Sequence, residues 1–185
     1  TGLKPEELEE IIGEYDGLIV RSATQFKGKV VEKATKMKVV GRAGAGVDNI
    51  DVPLSTKKGI VVMNTPGGNS QAAAELTIAM ITALSRNIVP ATISMKNGKW
   101  EKGKFEKTSV EVAGKTLGII GAGNIGSIVA ARAIGLNMKV IVYDPFLSDE
   151  KAAILGVKKV STLDDIYKDS DYITLHISKN EQTVN

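Results

Sequence analysis

Cysteine is absent from the 185 residues, which excludes disulfides, thiolate metal sites and cysteine nucleophiles. Aromatic side chains are scarce at 4%, with one tryptophan, Trp100, and one histidine, His176. Neither sign of charge dominates: 24 basic and 21 acidic side chains leave +3. The basic residues are scattered rather than gathered in the stripe that nucleic acid demands. No apolar run approaches the roughly 18 residues of a membrane span, and no charged-then-apolar leader opens the chain. What is present, 43% hydrophobic and 24% charged residues, suits a packed core in one large domain or two small ones. The expectation is a cytoplasmic, metal-independent protein with neither nucleic acid nor membrane as partner. Thr1 stands where a methionine would open the chain, and nothing after Asn185 marks a stop, so both ends are expected to be cut edges.

The apolar runs predict helices and strands in alternation. Residues 5–12 read as a short helix: Pro5 suits its first turn, the acids suit its positive end, and Leu8, Ile11 and Ile12 share a face. Gly13 is its stop. A strand at 18–20 empties into Arg21-Ser22-Ala23-Thr24, a helix covers 30–37, and a strand at 39–40 leaves through Gly41-Arg42-Ala43-Gly44-Ala45-Gly46. A third strand, 60–63, ends at Asn64-Thr65-Pro66-Gly67-Gly68-Asn69. Residues 70–86 form a long alanine-rich helix, and 96–112 a polar surface wrap. A second series follows: strand 116–120, helix 124–136, strand 139–143, small helix 148–155, strand 158–160, helix 163–167 and strand 172–176. Continuous β-branched runs between helices imply parallel strands covered on both faces. The fold class is therefore α/β in two domains, 1–67 and 68–185.

The most specific motif is Gly121-Ala122-Gly123-Asn124-Ile125-Gly126. A lone GxGxxG is weak, because glycines gather in many turns. Here Leu117-Gly118-Ile119-Ile120 supplies the strand before it, and Ile125, Ile128, Val129 and Arg132 continue at helical spacing after it. Gly121 permits the tight turn, Gly123 lets backbone approach a pyrophosphate, and Gly126 lets the helix lie close on the strand. Free N–H groups at the helix start then meet the phosphate charge. The next strand ends in Asp144, about 20 residues on, where a dinucleotide's adenine ribose lies. A carboxylate there accepts from both ribose hydroxyls. It also repels a 2′-phosphate by about 4 kcal/mol per pair of unit charges some 4 Å apart at an effective dielectric near 20, which favours NAD over NADP. A turn that binds nothing is the bland alternative. An adenosylmethionine site would leave the upstream α/β unit unexplained.

Both halves together resemble the D-isomer-specific 2-hydroxyacid dehydrogenases, most closely their phosphoglycerate-oxidising branch. The resemblance rests on Val20-Arg21-Ser22-Ala23-Thr24, on Gly41 through Asp51, on Met63-Asn64-Thr65-Pro66-Gly67-Gly68-Asn69-Ser70, on Ala74-Glu75-Leu76-Thr77, on Lys96-Asn97-Gly98-Lys99-Trp100, and on Gly114 through Gly121. It covers nearly the whole chain. It implies a Rossmann-type NAD-binding domain beside a flavodoxin-like substrate domain, both truncated here, and hydride transfer from C2 of a 2-hydroxy acid such as 3-phosphoglycerate. It further implies substrate contacts from Arg21, Ser22, Arg42, Gly44, Ala45 and Gly46, with Ala45 also near the nicotinamide. On the cofactor side it implies Gly121, Gly123, Asn124, Ile125, Gly126, Asp144, His176 and Ile177. The family's catalytic arginine, glutamate and histidine fall downstream of Asn185, so no catalytic residue is assigned in this chain.

Several of these residues carry a plainer alternative. Arg21 and Arg42 could be solvated strand-end cations, although parallel sheets bind ligands at such ends and a planar guanidinium fork suits phosphate and carboxylate alike. Gly44 and Gly46 could be turn glycines. His176 ends its strand and reads as a cofactor neighbour or a satisfied strand-end residue rather than the base; the family's proline two residues on is Ser178 here. The 70–86 helix could pack in the core or join subunits of a homo-oligomer. On the same fold, an NAD-sensing corepressor is the rival to an enzyme, and glycerate, glyoxylate or lactate are rivals to phosphoglycerate. Arg21, Arg42 and the 64–69 segment favour metabolism over corepression.

Overall fold

The computed structural model describes residues 3–178 and Thr183. They fall into two compact units: the described residues up to Asn69 with Ser178 and Thr183, and Ser70–Ile177. The boundary lies two residues later than expected, at the start of a helix whose Ser70 and Ala74 are buried. The expected outer limits, residues 1 and 185, lie outside the described residues.

In the first unit, α1 (Pro5–Ile11) opens with Glu7 accepting from the Lys4 N–H at 2.8 Å. A 3₁₀ turn, Ile12–Glu14, then carries the chain past Gly13. The rest is β1 (Gly17–Val20), α2 (Lys29–Lys33), β2 (Val39–Arg42), α3 (Val52–Lys57) and β3 (Val61–Asn64). The strands form a parallel sheet in the order β1-β2-β3. Its register sets Val20 beside Arg42 and Arg42 beside Asn64, so all three strands end level. α2 is shorter than the expected 30–37 helix, since Ala34 leaves the helical region at ψ 65°. Ala34 and Met37 are buried all the same, so burial in a loop produced the apparent helical spacing. α3 was not expected; its first turn is fixed by the Asp51 carboxylate, which accepts from the Leu54 N–H at 3.0 Å. Leu8, Ile12, Val20, Phe26, Val31 and Val40 form the core on one face of the sheet. The other face is bare among the described residues: Ile19 is 84% exposed, and Val61 and Met63 are also exposed. Among the described residues only one face of this sheet is covered, where the apolar runs implied cover on both.

The second unit starts with α4 (Ser70–Ser85), α5 (Ile88–Lys96) and α6 (Lys102–Thr108). It continues through β4 (Thr116–Ile120), α7 (Asn124–Gly135), β5 (Lys139–Tyr143), α8 (Asp149–Leu155), β6 (Lys158–Lys159), α9 (Leu163–Asp169) and β7 (Tyr172–Leu175). All pairs are parallel, in the order β6-β5-β4-β7. Counted within the unit this is 3-2-1-4, the doubly wound order whose direction reverses between the first and fourth strands. Both faces are covered here. Leu117, Ile119, Val140 and Val142 pack with Val129 and Ala133 of α7 on one side. Ile120 and Ile141 pack with Ile166 of α9 on the other. Among the described residues no single helix is long and apolar enough to cross a membrane.

Candidate functional site

Ligands of doubly wound sheets bind outside the carboxyl ends of the strands, where the order reverses. In the second unit that point lies between β4 and β7, and Gly121 and His176 sit on either side of it. The His176 N–H donates to the Ile120 carbonyl at 2.8 Å, and the Gly121 N–H to the Tyr143 carbonyl at 2.9 Å. Gly121 adopts φ +93°, and a Cβ on it would stand 2.6 Å from the His176 carbonyl oxygen. Both conditions call for glycine. A Cβ on Gly126 would run into the Gly121 carbonyl, so the start of α7 lies directly on the turn. Around Gly123 the protein leaves open space.

The N–H groups of Gly123, Asn124, Ile125 and Gly126 meet no acceptor among the described residues. They are the donors that the first turn of a helix cannot satisfy from within, aimed where the helix dipole favours an anion. Asp144, at the end of β5, lies against this loop: its Oδ2 accepts from the Ala122 N–H at 2.7 Å and its Oδ1 from the Phe146 N–H at 2.8 Å. His176 is partly buried, and burial holds its imidazole below the usual 6.5, which favours the neutral ring. Its Nε2 lies 3.0 Å from the Thr174 hydroxyl. Ile177 follows, exposed. The structure thus gathers Gly121, Gly123, Asn124, Ile125, Gly126, Asp144, His176 and Ile177 at one end of one sheet. Open clearance at Gly123, free amides and a carboxylate one strand over fit a dinucleotide's pyrophosphate and ribose.

The second cluster caps the sheet of the first unit. Residues 43–48 form a loop held from three directions. Ala43 N–H donates to Val20 O (2.9 Å), Thr65 N–H to Gly44 O (3.0 Å), and Asn64 Nδ2 to Ala45 O (2.7 Å). Asn49, fully buried, ties the loop to the end of β1 by donating to the carbonyls of Arg21 (2.9 Å) and Thr24 (2.7 Å). The amides of Ala45, Gly46 and Val47 remain without acceptors among the described residues.

The two arginines part company here. Arg21 is exposed, and its guanidinium has no partner among the described residues. Arg42 is only 8% exposed. Its Nη1 pairs with Asp48 at 2.9 Å and its Nη2 donates to the Ser22 hydroxyl at 3.2 Å, while Nε stays unpartnered. Each Nη thus spends one hydrogen within the protein, and three of the five guanidinium N–H donors, Nε–H among them, meet no acceptor among the described residues. Gly44 and Gly46 are not at positive φ. A Cβ at 46 would stand 2.8 Å from Arg42 Nη1 and 3.2 Å from Asp48 Oδ1, so this ion pair would have to shift to admit one.

Asp48, Asn49 and Asn64 were missed by sequence reasoning. The short polar run after the glycines was the only signal for the first two, and burial of an asparagine leaves no periodicity. An open cavity of about 610 Å³ lies over Ile19, Gly41 and Met63 and reaches Asn64 and Thr65. Another of about 540 Å³ lies in the second unit between Met95, Trp100, Phe105 and Val110, and no residue of the glycine loop lines it.

A doubly wound sheet with this cradle and acid is a dinucleotide-binding Rossmann unit. The family described as D-isomer specific 2-hydroxyacid dehydrogenase, NAD binding domain, matches residues 78–185. The chain belongs to the D-isomer specific 2-hydroxyacid dehydrogenases, and NAD is the cofactor of this unit. It is similar to D-3-phosphoglycerate dehydrogenase of Synechocystis sp., at 48% identity over 100% of this chain and 33% of that protein. It is similar also to that of Homo sapiens, at 52% identity over 94% of this chain and 32% of the other. Among solved structures, the NAD+-bound 3-phosphoglycerate dehydrogenase of Entamoeba histolytica superposes with a TM-score of 0.77 at 35% identity, covering 98% of this chain and 53% of that one. The chain spans about a third of the length of these curated relatives.

Proposed function

We propose that this chain is the part of an NAD-dependent dehydrogenase that holds the cofactor and the carboxylate end of its substrate. We further propose that the enzyme oxidises D-3-phosphoglycerate at C2 to 3-phosphohydroxypyruvate, the first step of serine synthesis. Bound NAD supplies the hydride acceptor. The chain supplies two grips. Asn124, Ile125 and Gly126 offer amides to the pyrophosphate, Asp144 accepts from the ribose, and His176 and Ile177 flank the nicotinamide half. Ala45, Gly46 and Val47 offer amides to the substrate carboxylate, and exposed Arg21 offers its fork to the phosphate. Arg42 and Ser22 steady the 43–48 loop from below. The observation that carries the reading is the pair of acceptor-free amide cradles, each at the carboxyl end of a parallel sheet. A cytoplasmic setting and a homo-oligomer held through α4 and α5 complete the proposal.

Turnover by the full-length protein tests it, with D-3-phosphoglycerate and D-glycerate side by side. NADH formation from phosphoglycerate is expected, with kcat/KM for glycerate lower on the order of a hundred-fold, the loss of one or two charge-assisted hydrogen bonds. Equal rates on both acids would refute the phosphate role of Arg21. Saturable NAD binding with no turnover of any 2-hydroxy acid would favour an NAD-sensing interaction protein instead.

A further inference from the structure

Two consecutive amides of the nucleotide loop are fastened to two consecutive residues at the end of β5. Gly121 N–H donates to the Tyr143 main chain at 2.9 Å, and Ala122 N–H to the Asp144 side chain at 2.7 Å. Ala122 is buried, so its N–H depends on a protein acceptor. The next four amides, at Gly123, Asn124, Ile125 and Gly126, are the free ones. The Asp144 side chain is thus the last fixed point of the loop before the cradle begins.

The carboxylate is held from both sides, with Ala122 on Oδ2 and Phe146 on Oδ1. An ionised carboxylate offers about four lone-pair positions, two on each oxygen. Two are taken by backbone, one per oxygen, and two remain for a pair of ribose hydroxyls. Asp144 cannot swing toward a sugar without releasing an amide, so its acceptors are set before the ligand arrives.

We propose that Asp144 is a positioning residue for the 121–126 loop, acting through the Ala122 N–H, in addition to reading the adenine ribose. The proposal rests on the dinucleotide reading of this site. It has a consequence for specificity. A small neutral residue at 144 removes the repulsion of a 2′-phosphate and at the same time loosens the pyrophosphate cradle, so it yields a weak site for both cofactors rather than a good NADP site.

The two roles separate with an NAD analogue whose adenine ribose lacks the 2′- and 3′-hydroxyls. Wild type, Asp144→Asn and Asp144→Ala are titrated calorimetrically, as full-length proteins, with NAD and with this analogue. Wild type is expected to bind NAD more tightly than the analogue. Asp144→Ala is expected to lose a further factor of roughly ten against the analogue, which has no hydroxyl for a carboxylate to read. Asp144→Asn keeps one acceptor oxygen for the Ala122 N–H but sets its NH2 against the Phe146 N–H, so it is expected to recover only part of that factor. Equal affinity of wild type and Asp144→Ala for the analogue overturns the proposal. Failure of wild type to bind NAD overturns the dinucleotide reading instead. Hydrogen exchange at the Ala122 amide of ligand-free wild type decides the matter even if Asp144→Ala does not fold: protection is expected, and fast exchange overturns the proposal.

Discussion

Arg42 carries a full charge into a nearly closed setting, and its partner Asp48 stands at the rim with its side chain 75% exposed. Removing Asp48 leaves the guanidinium with only the Ser22 hydroxyl at its forked end. Because the aspartate side is screened by water, the expected loss in Asp48→Ala is about 1–2 kcal/mol, short of the cost of breaking a wholly buried pair. Urea unfolding measures that loss. The KM for the 2-hydroxy acid is expected to rise several-fold while the Kd for NAD stays put, since the pair fixes the 43–48 loop and not the 121–126 loop. A Kd for NAD that moved with the KM would show that Asp48 acts more widely than through Arg42. That both arginines stand at strand ends was legible in the sequence, because strand ends follow from where the apolar runs stop. Where each side chain turns was not. The turn of Arg42 depends on a carboxylate six residues on and on the missing Cβ of Gly46, both of which come into play only after the loop closes.

At the scale of the element, the β4 strand, glycine turn and α7 helix agree closely with expectation, because strand, turn and helix each carry their own local signal there. Three helices left weaker traces. α3 is six residues long, and only Asp51 and Pro53 mark its start. α5 follows α4 after only Arg86 and Asn87, and the break rests on Asn87, which takes a left-handed φ of 53°. α6 has no buried residue, so no apolar stripe announces it. The glycines of the α7 region give a test internal to one element. Gly126→Ala drives a methyl against the Gly121 carbonyl and is expected to cost about 1–3 kcal/mol together with NAD binding. Gly135→Ala, in open space at the last turn, is expected to stabilise by up to about 1 kcal/mol and leave NAD binding alone. Gly123→Ala is expected to leave stability near wild type and weaken NAD, since its methyl fills only space kept for the ligand. Thermal melts and NAD titrations of the three variants distinguish packing from ligand clearance. A Gly123→Ala protein that binds NAD normally would show that the pyrophosphate lies elsewhere.

At the scale of the molecule, α4 carries a second apolar face that the described residues leave uncovered. Ala74 on one side of it is buried, with Ile78 and Ile81 packed against the core of the second unit. Leu76, Met80 and Leu84 rise on the other side at i, i+4 and i+8, all more than half exposed. Ile88, Val89 and Ile93 of α5 are also exposed, and Trp100 is 76% exposed beside the groove lined by Phe105 and Val110. A helix apolar on two faces needs cover on both, and an exposed apolar surface of this extent marks an interface. The sequence left core packing and subunit contact as alternatives for this helix; its two faces accommodate both. A second copy of the chain is the expected cover, with Trp100 inside the contact. Light scattering is expected to return at least twice the mass of one chain for the full-length protein, and the mass of a single chain for Met80→Asp. Trp100, the only tryptophan of these residues, supplies a second readout, because its emission is expected to shift to the red when the contact is lost and water reaches the indole. A wild type that ran as a monomer with solvent-exposed tryptophan emission would leave the stripe without a partner of its own kind and overturn the subunit contact.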